Sequence, residues 1–148
     1  SWENRWRYRN LINKVPGKVS QRLKNTLAKA EAMTPETYQN SILKRAYIRE
    51  AHKNRAPLAD AIVTLSCPGP APKWFDDKEG AALSPRPTGD PIFNFDSSLM
   101  EAPSVTIPML SVDNMPVGIQ IITQREQDAM ATSLAGWIYE NVEKIDGD

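Results

Sequence analysis

Thiol and imidazole side chains are nearly absent from this sequence, which holds one cysteine, Cys67, and one histidine, His52. A single thiol cannot close an internal disulfide, and two such residues cannot build a Cys/His metal cluster. No Asp-rich loop offers a carboxylate-only alternative, so neither a metal nor a cofactor is expected. Charge of one sign is lacking too, because eighteen basic and eighteen acidic residues cancel. Binding to phosphates needs clustered excess cations, so neither a nucleic acid nor an anionic membrane is the expected partner. Arg5, Arg7 and Arg9 do cluster at one end, but Trp2, Trp6 and Tyr8 alternate with them. That pattern fits one end of an amphipathic helix better than a nucleic-acid arm. No apolar run approaches the ~18 residues of a membrane span, and no signal-peptide pattern is visible. Together with the lone thiol this makes a reducing, cytoplasmic setting the expectation.

What is present suffices for a core. The chain has 148 residues, 41% of them hydrophobic, enough for one domain or a large piece of one. Folding at this length buries roughly two-thirds of the unfolded surface. The chain starts at Ser1 directly in helical pattern, without a cap or a leading strand, which reads as a cut end, with removal of an initial methionine as the alternative.

Residues 1–56 read as mainly helical and 57–148 as strands, proline-rich loops and a last helix. Trp2 to about Asn13 fits a helix loosely, and Val15-Pro16-Gly17 stops it. Val19, Leu23, Leu27 and Ala30 then recur at the period of a helix with one buried stripe. Thr34 before Pro35 is a cap and first-turn signature. The helix it opens is carried to about Arg55, with Pro57 ending it. Ala61-Ile62-Val63-Thr64-Leu65 is short, apolar and β-branched, the pattern of a strand buried on both faces. The run 67–72 holds too many breakers for regular structure, and 73–90 reads as a long irregular connection.

Further along, Pro91 opens a short helix within 91–102. Residues 104–109 form a strand that Pro108 demotes to an edge or a strand end. Asp113-Asn114 is a turn, and 117–123 is the clearest strand, able to make a hairpin with 104–109. Met130, Leu134, Trp137/Ile138 and Val142 mark a final helix over about 126–144. Strands apolar on both faces need more cover than these helices supply. They look like one edge of a larger sheet, an α/β arrangement overall although α+β within this chain.

Three blocks stand in a recognisable order. The first is Ala59-Asp60-Ala61-Ile62-Val63-Thr64 running into Cys67-Pro68-Gly69-Pro70-Ala71-Pro72. The second is Thr88-Gly89-Asp90-Pro91-Ile92-Phe93-Asn94, followed by Ala102-Pro103-Ser104-Val105-Thr106-Ile107-Pro108. The third is Met115-Pro116-Val117-Gly118-Ile119-Gln120-Ile121-Ile122. In this order and spacing they resemble the C-terminal third of amidase-signature enzymes, over nearly the whole chain. Two departures stand out: Leu65-Ser66 replaces the usual Thr-Pro after the first strand, and Glu101 sits in a segment near the pocket.

The resemblance implies a portion of the amidase-signature fold, with helices flanking part of a mixed sheet over 1–148. It implies hydrolysis of a non-peptide amide bond by a Ser–cis-Ser–Lys triad, in which a buried neutral lysine takes the proton. Backbone N–H groups of a Gly/Ser-rich loop hold the oxyanion. The seven glycines here are scattered, and the Ser97-Ser98 pair has no glycine beside it. No catalytic residue is therefore carried over to this chain. The resemblance does suggest pocket wall, for which Phe93, Asn94 and Phe95 are the candidates. Core packing for the two rings and a cap or turn for Asn94 is the competing reading. The implied partners are the remainder of the amidase, as the same or a separate chain, and a small-molecule amide. The alternative is a non-catalytic interaction or regulatory subunit derived from this fold.

Other chemistry-bearing residues have plainer explanations. His52 lies among Lys53, Asn54 and Arg55 and is expected to face water rather than join Asp60 in a triad. Cys67 has no base in sequence reach. Asp76, Asp77 and Glu79 read as a solvated loop, and Trp74-Phe75 as either a loop anchor or a pocket gate.

Overall fold

The computed structural model describes residues 2–72 and 91–147. The expectations for Trp74-Phe75, for Asp76, Asp77 and Glu79, and for the connection 73–90 lie outside the described residues. The chain divides into two compact units, Ser1–Lys44 and Arg45–Asp148.

The first unit is helical. Helix α1 (Arg5–Lys14) ends where Pro16 begins a 3-10 turn. Helix α2 (Gln21–Glu31) is capped by Ser20, whose side chain accepts from the Leu23 N–H, filling one of the orphan donors of a helix start. Leu27 and Ala30, half of the stripe read from the sequence, are its buried residues. Arg9 on α1 is ion-paired with Glu31 on α2. The Trp2 ring stacks on Tyr38 with centroids 5.5 Å apart, and the Tyr38 hydroxyl donates to Glu3 Oε1 at 2.6 Å. Helix α3 (Pro35–Lys53) starts in this unit and ends in the second. Thr34 caps it by accepting from the Thr37 N–H at 3.1 Å. Thr34→Ala is expected to cost about 1 kcal/mol of stability, the usual value of such a cap, read as a lower urea midpoint.

The second unit is a mixed sheet with helices on its faces. The strands are β1 (Ile62–Leu65), β2 (Ser104–Val112), β3 (Met115–Ile122) and β4 (Ile145–Gly147), in the order β1-β3-β2-β4. Strands β2 and β3 form the expected hairpin. Its turn is Asp113-Asn114, both at positive φ (51° and 57°), the two-residue geometry whose twist matches that of the strands. Strand β2 runs further than the sequence suggests, to Val112, and the register shifts between Pro108 and Leu110. Pro108 is accommodated because the parallel pairing to β4 begins only at Leu110, so no ladder bond on that side needs its missing N–H. Strand β4 has no signature in the sequence: three exposed residues carry no alternation to read.

Paired residues share a face, so the register sorts the two sides of the sheet. On one side Ile107, Met109 and Ile121 form the core with Ala135 of helix α5 (Asp128–Asn141), joined by Val105, Ile119, Leu134 and Ile138. Alanines at 131 and 135 let α5 lie close to β2 and β3. It does not reach β1, where Val63 and Leu65 on the same side stay 55% and 37% exposed. The expectation that β1 is buried on both faces is thus corrected. The cause is that no described layer covers β1 on this side, and it forms a sheet edge among the described residues.

Candidate functional site

The opposite side of the sheet carries the site. Here the register lines up Ser104, Thr106, Gly118, Gln120 and Thr64, a polar set of which Gln120 is buried while Ser104 and Thr106 are exposed. Gly118 sets how tightly the strands meet. A Cβ built on it would lie 2.6 Å from Thr106 Cγ2 and 2.7 Å from Ser66 Oγ. Only glycine leaves room for Ser66 to donate both its N–H and its hydroxyl to the Gly118 carbonyl, each at 2.9 Å.

Two residues on, Gln120 is 2% exposed, and a buried carboxamide must find its partners. Its Nε2 donates to the Phe93 carbonyl at 2.7 Å and to the Leu65 carbonyl at 3.1 Å. Its Oε1 accepts from the Ser104 hydroxyl at 3.1 Å. One side chain therefore ties β1, β2 and the 3-10 turn Pro91–Asn94 together. That turn leads into helix α4 (Phe95–Met100). Asn94 adds a long bond, Nδ2 to the Ser66 carbonyl at 3.5 Å.

The far end of the same segment is held by charge. Glu101 closes α4 in the left-handed region at φ 56°. Its carboxylate pairs with Arg49 at 2.6 Å and with Arg125 at 3.3 Å, and Arg49 Nε also donates to the Leu99 carbonyl at 3.1 Å. Glu101 is odd for its position in the sequence, and the two arginines account for it. These side chains are partly exposed, so the pairs contribute little net stability, while a non-glycine residue at this φ costs on the order of 1 kcal/mol. Glu101→Gly should therefore shift stability by less than about 1 kcal/mol, whereas a β-branched valine, which tolerates positive φ poorly, should lose about 1–3 kcal/mol. Paired urea titrations of the two variants check this.

The three wall candidates sit together on this twice-held segment. Phe93 is half-buried, Asn94 is exposed and Phe95 is 57% exposed. Asn94 also accepts on its carbonyl from the hydroxyls of Ser97 and Ser98, each at 3.4 Å. The Ser97-Ser98 pair is thus engaged with the start of its own helix.

His52 is placed against expectation. It is 3% exposed, not solvated. Its Nε2 donates to the Thr123 carbonyl at 3.1 Å, and Gln124 Nε2 donates to the His52 carbonyl at 2.9 Å. Lys53, Asn54 and Arg55 are exposed while His52 is buried, so the character of these neighbours does not carry over to His52. Among the described residues His52 Nδ1 has no hydrogen-bond partner. The ring lines a cavity of about 100 Å³ together with Asp60, Ala61, Ile122 and Thr123. Cys67 is half-buried, with the Ser66 hydroxyl 3.8 Å from its sulfur. Among the described residues no group of three or more His, Cys, Asp or Glu could hold a metal. Nor is any described helix long and apolar enough to cross a membrane.

No family model and no curated protein matches this chain. Solved structures do. The chain is similar to a crystal structure of an amidase, at TM-score 0.79 and 22% identity, over 94% of this chain and 32% of that one. It is similar to a bacterial aryl acylamidase of the amidase-signature family, at TM-score 0.72 and 14% identity, over 94% and 31%. One component of the glutamyl-tRNA(Gln) amidotransferase of Thermotoga maritima matches at TM-score 0.66 and 22% identity, over 87% and 29%. The fold is therefore a portion of the amidase-signature fold, and the chain spans about a third of the length of the structures it matches.

Proposed function

We propose that this chain is the C-terminal part of an amidase that hydrolyses a non-peptide carbon–nitrogen bond of a small amide. It supplies sheet scaffold and pocket wall, with Phe93, Asn94 and Phe95 on the wall. The remainder of the enzyme, on the same or a separate chain, supplies the nucleophilic serine, the bridging serine and the lysine base. The observation that carries this reading is the backbone match, which takes in nearly all of this chain yet only about a third of the amidase. The position of β1 at the edge of the described sheet supports it, since a larger sheet would continue there. The setting is cytoplasmic, with no nucleic acid and no membrane as partner.

A serine-reactive fluorophosphonate, applied to the purified chain and to its source extract and read by intact mass, tests the division of labour. The chain is expected to stay unlabelled on its own, and to be found with or within a larger polypeptide that takes the label. Gain of the probe mass by residues 1–148 themselves would overturn the reading, because it would place a nucleophile here.

A further inference from the structure

We propose that Gln120 is a positioning residue for the substrate wall: its carboxamide fixes where the segment Phe93–Phe95 stands relative to the sheet. This rests on the reading of that segment as pocket wall. Exposure and restraint are out of balance along it. Phe95 is more than half exposed and Ile92 equally so, at 57% each, yet the backbone between them is held firmly. A bond to the segment of 2.7 Å comes from a buried side chain of the central strand β3. A loop kept only for cover does not need a buried amide dedicated to one of its carbonyls. A wall that must present an apolar face at a fixed place does, because misplacement of about 1 Å is enough to lower productive binding.

The donor count makes the role specific. A carboxamide nitrogen has two hydrogens, and both are used, one on Phe93 and one on Leu65. The two carbonyls can only accept, so they fix which way the amide faces, and the Ser104 hydroxyl adjusts to donate to its oxygen. Gly118 keeps the Ser66 end of β1 close enough for the same amide to span both elements. The hydrogen-bonding groups around Gln120, on β1, β2 and the 3-10 turn, are backbone carbonyls and the Ser104 hydroxyl, none of which titrates near neutrality.

The test compares Gln120→Glu, Gln120→Leu and the milder Ser104→Ala with wild type in the complete enzyme, using a panel of primary amides of increasing apolar size. Hydrogen exchange of the 91–100 amides is followed in parallel. The carboxyl introduced by Gln120→Glu has no N–H donors to offer the two carbonyls and releases the wall. The expected result is a KM roughly tenfold higher with kcat within about twofold, the mark of lost binding rather than lost chemistry. Exchange should rise in 91–100 while β2, β3 and α5 keep their protection. Across a pH series, the KM loss relative to wild type at the same pH should be smaller where the carboxyl is protonated and regains one O–H donor, in Gln120→Glu and not in Gln120→Leu. Ser104→Ala should give a smaller shift in the same direction and covers the case in which Gln120→Leu does not fold.

An unchanged KM with faster exchange in 91–100 overturns the positioning role, and so does a raised KM with unchanged exchange in 91–100. Absence of amide turnover in wild type overturns the functional reading itself. That failure is distinguishable, because the exchange data report on the clamp without any substrate.

Discussion

Ile121→Ala should remove about 2–5 kcal/mol of stability, the range for truncating a fully buried aliphatic side chain that leaves a cavity. Ile121 has no exposed surface and lies on β3, which has a paired strand on each side. Its side chain meets Ile107, Met109 and Ala135, so both the hairpin and α5 lose contact at once. Single domains hold only about 5–15 kcal/mol in total, so this one change takes a large share. The built-in control is Val63→Ala. Val63 pairs with Ile121 across β1 and β3 and lies on the same side of the sheet, but it is 55% exposed. Its truncation should cost less than about 1 kcal/mol, because little buried surface is lost. Urea unfolding followed by far-UV circular dichroism separates the two. Equal costs would mean that the α5 side of β1 is covered after all.

Much of this architecture is legible in the residues because local chemistry and tertiary packing agree. Thr34 before Pro35 caps α3, Asp113-Asn114 supplies the positive-φ pair that a two-residue hairpin needs, and the apolar run 61–65 gives a strand. The differences share a cause. Lys53 and Arg55 beside His52 suggest a solvated ring, but on a helix adjacent residues face different directions, and the partner of His52, Thr123, lies on another element. The exposure of Val63 depends on how far α5 reaches, which no local pattern encodes.

The residues proposed for the wall and its support divide in the same way. Phe93, Asn94 and Phe95 are visible as a motif, and the structure sets them on one held segment. Gln120 is visible only as the polar member of an apolar strand. That is the available signal: a lone amide on a central strand has to be satisfied somewhere. Its partners lie 27 and 55 residues away in sequence, and only the register of β1 against β3 brings them together. Glu101 is likewise marked by its strangeness, while Arg49 and Arg125, which explain it, cannot be paired with it from spacing.

Val63→Pro should weaken self-association of the isolated chain by tenfold or more, equivalent to about 1.4 kcal/mol, while leaving its own sheet intact. The reason lies in the alternation of the antiparallel ladder. The Ser66 N–H donates to the Gly118 carbonyl, and residues opposite each other alternate between bonded and non-bonded pairs. Counting back along the register, Thr64 and Ile62 make bonded pairs with β3, and Val63 does not. The Val63 N–H therefore points away from β3, toward the side on which β1 has no described neighbour. Proline there deletes a donor that β3 never uses, and it restricts Ile62 to an extended conformation that it already has. An apolar edge strand with free backbone groups invites a further strand. In the enzyme proposed here that strand belongs to the remainder of the sheet, and in the isolated chain a second copy stands in for it. Sedimentation velocity over a concentration series measures the effect, with the urea midpoint confirming that the fold is retained. If the proline variant associates as strongly as wild type, the larger sheet does not continue from β1, and the rest of the amidase must join this chain elsewhere.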